Sequence, residues 1–209
     1  MIIRFWIAFA TATVLATSAS SVRAHAFNVA FLAPLSGPNA PQGRQAVDGF
    51  LLATRERDGH AFEESDGHLG GLDSYLITID SGHDAEVVRR QLEKLLHSEG
   101  IVFLSGVSMS EMLAAIGIIL DQKQTILVDP VDSAVYRSAT SDPAGLLTLD
   151  GTPFPAAFRQ AYGYDPDAGA IGGYVTARFI DAAVSAVEGR ISQRDALHRA
   201  LERADTKLP

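Results

Sequence analysis

The sequence predicts an α/β fold, an open and mostly parallel sheet with helices on both faces. Two observations carry this. Short, nearly continuous apolar runs, suited to strands covered on both sides, alternate with segments of helical periodicity. Three strand–helix–strand passages also follow one another directly, which demands parallel neighbours joined by right-handed crossovers.

Residues 27–33 (FNVAFLA) are the first such run, closed by Pro34. The turn after it is dense in Gly, Pro, Ser and Asn, and Val47, Phe50, Leu51 and Thr54 then recur at helical spacing. Residues 55–73 are charged and Gly-rich and predict a surface connection, and residues 75–79 (YLITI) a second strand ended by Asp80. Val88, Leu92, Leu95 and Leu96 mark a second helix, with Ser81 or Asp84 available as its cap and Gly100 as its stop. Residues 101–104 predict a third strand, 111–122 a helix packing Met112, Ile116 and Ile119, and 125–128 a fourth strand. Residues 137–145 (RSATSDPAG) read as a polar linker with no core to offer, followed by a fifth strand at 146–149. Helices at 154–162 and 168–187 follow, the second with Tyr174, Ala177, Ile180 and Val184 on one face. An amphipathic helix at 190–204 turns Leu197 and Leu201 inward. No repeat of fixed period and no low-complexity segment interrupts this order.

The first 26 residues read as an export signal. A short basic start gives way to an uncharged apolar run at 5–16, and Ala24-His25-Ala26 offers small side chains at the cleavage positions, so the expected cut falls after Ala26. An uncleaved anchor is the alternative, for which the run is short. One domain over 27–209 is then the default, and the product is exported. It is acidic: the chain carries 17 Lys+Arg against 25 Asp+Glu, and Arg4 and Arg23 leave with the signal. A net charge of −8 without a basic cluster removes the footprint of nucleic-acid binding. The lack of cysteine excludes disulfide frameworks, thiolate metal sites and cysteine nucleophiles.

In open α/β sheets ligands bind beyond the carboxyl ends of the strands, here the loops at 34–43, 80–84, 106–110, 129–133 and 150–153. No Gly-rich dinucleotide fingerprint and no phosphate-binding lysine loop is present, so no cofactor is expected. Gly106-Val107-Ser108-Met109-Ser110 sits between strand and helix as a nucleophile elbow would. Its closing glycine is replaced by Ser110, and His198 falls inside a helix, which leaves a serine hydrolase using Ser108 as a remote alternative to a helix cap. His60, His68, His83 and His97 do not have metal-ligand spacing. Asp80, Asp129 and Asp150 each end a strand at one rim, where turn chemistry competes with metal or acid–base work.

Three segments resemble the periplasmic solute-binding proteins of branched-chain amino acid ABC transporters, the type 1 clamshell family. FNVAFLAPLSGPNAPQGRQAVDGFLLA is similar to the family's first strand, its P-L-S-G-P turn and first helix. IVFLSGVSMSEMLAAIGIILDQKQTILVDPVDSA resembles the third and fourth strand–helix units, and FRQAYGYDPDAGAIGGYVTARFIDAAVSAV the late helices. The resemblance implies a non-enzymatic binding protein that works with an ABC permease in uptake of amino acids or similar solutes. It also implies that lobe one is nearly whole while lobe two is absent, replaced by the linker at 137–145. By the same resemblance Ser110, Val131 and Ser133 hold the ligand's carboxylate and ammonium, Gln42 touches its side chain, and Asp132 either pairs the ammonium or is an exposed turn residue. A half-cleft binds weakly unless covered, and its bare apolar face would invite a second copy of the chain. A lobe kept for docking or regulation, or a vestige, is the other reading. The identification requires residues 146–149 to join the sheet begun at Phe27, and Ser110 and Ser133 to face one another.

Overall fold

The computed structural model describes residues 26–57, 65–98, 100–107, 112, 114 and 125–204. The expected signal at 1–26 lies outside these except for Ala26, which opens the first strand, and most of the expected helix at 111–122 lies outside them too. In chain order the elements are β1 (Ala26–Ala33), α1 (Ala40–Arg55), β2 (His68–Leu69), β3 (Leu72–Asp80), α2 (Ala85–Ser98), β4 (Ile101–Gly106) and β5 (Ile126–Leu127). Helices α3 (Ala134–Ser141), α4 (Phe154–Tyr162), α5 (Ala168–Ala186) and α6 (Arg194–Ala204) complete the chain.

The sheet has the order β2-β3-β1-β4-β5. All pairs are parallel except β2 with β3, so the open, mostly parallel sheet expected from sequence is present. Alternation along β1 divides the core. Phe27, Val29 and Phe31 face α1 and α5, while Ala30 and Leu32 join Val88 and Leu92 of α2 on the other side. Asp84 is the residue that caps α2, its carboxylate accepting the Glu86 amide at 2.9 Å.

Helices α1 and α5 meet through glycine. A Cβ at Gly173 would lie 1.9 Å from the Ala46 carbonyl oxygen, and one at Gly49 would lie 2.0 Å from that of Ala170. The buried stripe of α1 therefore consists of Ala40, Gly43, Ala46, Gly49, Phe50, Ala53 and Thr54, and Val47 and Leu51 are only half-buried. As expected, α5 buries Tyr174, Ala177, Ile180 and Val184. It also buries Arg178 and Asp181, which its hydrophobic pattern did not announce. Asp181 accepts from Arg57 and from the Gly70 amide, and Arg178 donates to the Tyr174 hydroxyl, which in turn donates to Glu56. Each buried charge thus has a partner, as its desolvation requires.

Three expectations need correction. Residues 146–149 do not join the sheet. Leu147 makes an isolated antiparallel bridge to Pro153, the Thr148 amide donates to the Thr152 carbonyl, and its hydroxyl reaches Asp150, so the backbone groups of this segment close a small hairpin. Burial is accordingly inverted, with Thr148 inside and Leu147 and Leu149 exposed. The fifth strand is instead β2, inside the stretch expected to be a surface connection, where Leu69 is fully buried. The linker at 137–145 is for the most part α3 and a 3₁₀ turn at Pro143–Gly145. Its polar residues satisfy themselves locally: Thr140 and Ser141 donate to the carbonyls of Tyr136 and Arg137 one turn back, and Ala139 reaches the core.

Candidate functional site

The chain leaves β1 toward β3 on one side and returns across the sheet to β4 on the other, so the crevice between the carboxyl ends of β1 and β4 is the topological switch point. The crossing is tight. Gly106 sits at φ +155°, and a Cβ there would lie 2.1 Å from the Leu32 carbonyl oxygen. The loop after β1 is fixed from the β3 end by Asp80, whose carboxylate accepts the amides of Leu35 (2.8 Å), Ser36 (3.1 Å) and Gly82 (2.9 Å). Burial works to raise its pKa, but these amides and the Ser36 hydroxyl outweigh it and bring the carboxyl down to about 2.

Above this crevice lies a cleft of about 420 Å³, within the usual range of small-molecule sites. Its floor is Phe31, Gly106 and Val107. One wall is Gln42 and Ala46 of α1 with Ala168, Gly169, Gly172 and Gly173 of α5, and the other is the turn Asp129-Pro130-Val131-Asp132 with Tyr136 of α3. Gly172 of α5 makes room, since a Cβ there would already touch the Tyr136 ring at 3.4 Å, whereas a Cβ at Gly169 or Gly173 would run into the backbone of α1.

Of the residues expected from sequence, Gln42, Val131 and Asp132 line this cleft. Ser133 does not. It is buried, and its hydroxyl accepts the Tyr136 amide at 2.9 Å as the N-cap of α3, so the capping need of that helix engages the oxygen. Ser110, with Ser108, lies outside the described residues, so the pairing of Ser110 with Ser133 does too. Asp129 behaves as a turn residue, accepting the Val131 amide at 3.2 Å, and still borders the cleft. Asp150 is not at this rim, because the Thr148–Thr152 turn that it closes sits by Glu56, just past the end of α1. His198 is on α6, whose start lines a groove with Phe27 and Gly100 at the opposite end of the sheet from the turn after β4. No group of three metal-ligating side chains occurs among the described residues.

Tyr136 and the α5 glycines went unrecognised as site residues. The glycines had a signal in the sequence, since Gly169, Gly172 and Gly173 fall at helical spacing on one face. The Tyr136 hydroxyl is 3.5 Å from the Ala168 carbonyl oxygen, and its pKa is raised by burial and by the charges of Asp167 and Asp129. Among the described large apolar side chains that are exposed, only Val131 borders the cleft.

No family model matches this sequence, and no curated protein matches it. Among solved structures, a solute-binding protein of an ABC transporter from R. palustris, in complex with benzoate, aligns with a TM-score of 0.58 at 14% sequence identity. The alignment covers 84% of this chain and 85% of that one. An ABC transporter substrate-binding protein from Sphaerobacter thermophilus aligns with the same score, identity and coverage. At that identity the likeness is one of architecture: the chain has the α/β fold found in solute-binding proteins of ABC transporters.

Proposed function

We propose that this chain is an exported, non-enzymatic solute-binding lobe that captures a small amino-acid-like molecule in the cleft over β1 and β4 and serves an ABC uptake system in the periplasm. One observation supports it above the others. The cleft of about 420 Å³ over the switch point, with Gly172 of α5 on one side and Tyr136 and the turn Asp129–Asp132 on the other, leaves open a volume suited to a small solute. The solute's ammonium falls to Asp132, its carboxylate to the amides that open α5, and its side chain to Gln42, Val131 and Phe31. The single described sheet supports a protein reduced to one lobe, although residues 146–149, which that identification required to join the sheet, form a hairpin outside it.

Isothermal titration with a panel of amino acids and with benzoate tests this reading. Gly172→Leu, which adds a side chain directly in front of Tyr136, is expected to keep the fold and abolish whatever binding the wild type shows. Absence of binding to the whole panel, or a Gly172→Leu variant that binds as the wild type does, refutes it. The open side of the cleft favours one other reading, a lobe retained for docking to a partner. That reading expects no heat from any solute.

A further inference from the structure

The end of the sheet opposite the cleft has a groove of its own. It encloses about 450 Å³ between the first residues of β1 and β4, Tyr75 of β3 and the turn that leads into α6, a volume within the usual range of small-molecule sites. Phe27, Val102 and Ile191, all buried, give it an apolar base, and no carboxylate lines it among the described residues.

Arg194, the first residue of α6, supplies its charge. It lines the groove and is half-buried. Among the described residues its guanidinium, which carries five N–H donors, donates to the Ile191 carbonyl and to nothing else. Asp195 follows it in the chain but is exposed and makes no ion pair with it. Burial holds the Arg194 pKa below the ordinary arginine value, and no neighbouring carboxylate acts against that. The other arginines drawn into the fold are treated differently, since Arg57 meets Asp181 and Arg178 meets Glu56. Arg194 has the desolvation without the partner. On the adjoining surface Arg199 and Asp195 balance in sign, so the charge of Arg194 stands.

The chemistry of the missing partner follows from these surroundings. A planar guanidinium with donors to spare receives a carboxylate in a fork, and the apolar base beside it suits a hydrocarbon body. One cation in a chain of net charge −8 favours a monoanion over a multiply charged one.

We infer that this groove is a second binding site, separate from the cleft, for a small organic carboxylate with an apolar body, which Arg194 receives by its carboxylate while the body lies along Phe27, Val102 and Tyr75. The test is calorimetric titration of the full chain with octanoate, octylamine and inorganic phosphate. Octanoate is expected to bind, and the amine and phosphate to bind at least about tenfold more weakly, the loss of one charge-assisted contact. Arg194→Gln weakens octanoate by about the same factor, and Arg194→Lys, which keeps the charge without the fork, falls between the two. Unliganded Arg194→Gln melts no lower than the wild type, because it removes a desolvated charge that lacks a partner. Gly172→Leu, which fills the cleft at the other end of the sheet, leaves octanoate binding as it was. No heat from octanoate, an affinity that Arg194→Gln leaves unchanged, or phosphate bound as tightly as octanoate overturns the inference. So does an Arg194→Gln protein that melts well below the wild type, which would make the arginine part of the α6 turn, or octanoate binding lost in Gly172→Leu. None of these results touches the solute reading of the cleft, whose own titrations decide it.

Discussion

Replacing Gly173 by alanine puts the packing of α5 on α1 to a direct test. The new Cβ would lie 1.9 Å from the Ala46 carbonyl oxygen, 2.8 Å from its carbon and 3.0 Å from the Phe50 nitrogen, all backbone atoms that no rotamer change can move. Restoring ordinary contact at about 3.5 Å asks the two helices to part by roughly 1.5 Å. Overpacking of this kind costs about 1–3 kcal/mol, and a backbone neighbour places it near the upper end. Alanine recovers about 1 kcal/mol of helix propensity over glycine, so the net loss is about 2 kcal/mol. For a chain of this size that lowers the melting temperature by about 4–8 °C. Gly172, the adjacent residue, meets only the Tyr136 ring at 3.4 Å, so Gly172→Ala keeps the propensity gain and raises the melting temperature by about 2–4 °C. Thermal unfolding of the two variants followed by circular dichroism, side by side with the wild type, reads out the opposite signs. A Gly173→Ala protein that melts at or above the wild type would show that the close approach of α1 and α5 does not exist.

Asp80 makes stability depend on pH. Its folded pKa of about 2 lies below the ordinary 3.8, so its stabilisation is complete above roughly pH 4 and is lost as pH falls toward 2. Asp80→Asn should cost about 1–2 kcal/mol in urea unfolding at neutral pH, with the gap to the wild type closing between pH 4 and pH 2; a gap unchanged at pH 2 refutes the assignment. Ser133→Ala should cost about 1 kcal/mol with no solute present, because the α3 cap is what it removes. An unaltered melting temperature together with lost solute binding would return Ser133 to the ligand.

What was legible in the sequence was whatever repeats along a short stretch. The apolar runs of β1 and β4 and the spacing of Val88 and Leu92 in α2 depend on neighbours a few residues away, and the structure has them where periodicity put them. The segment at 146–149 has the same apolar look, but its fate depends on Thr148, Asp150 and Thr152 closing a hairpin first. α3 was hidden for the opposite reason, since a helix whose hydroxyls bond its own carbonyls needs little hydrophobic periodicity. At the cleft, the lining positions of Gln42, Val131 and Asp132 were pointed to by a resemblance to a family. Ser133 caps α3 instead of lining the cleft, and a serine at the end of a loop has the same composition whether it caps a helix or holds a ligand. Tyr136 needs the third dimension: only when α5 presents Gly172 to it does the ring become a wall.

The five described strands of the sheet are finished by Leu127, and every described element from Ala134 onward is helical and packs on what is already built. The stretch from Asp142 to Gly151, between α3 and α4, can therefore be lengthened without severing a single ladder of the sheet. A foreign module spliced in at Gly145 would hang on two short tethers from a sheet it leaves whole, which makes this chain a ready chassis for a grafted reporter.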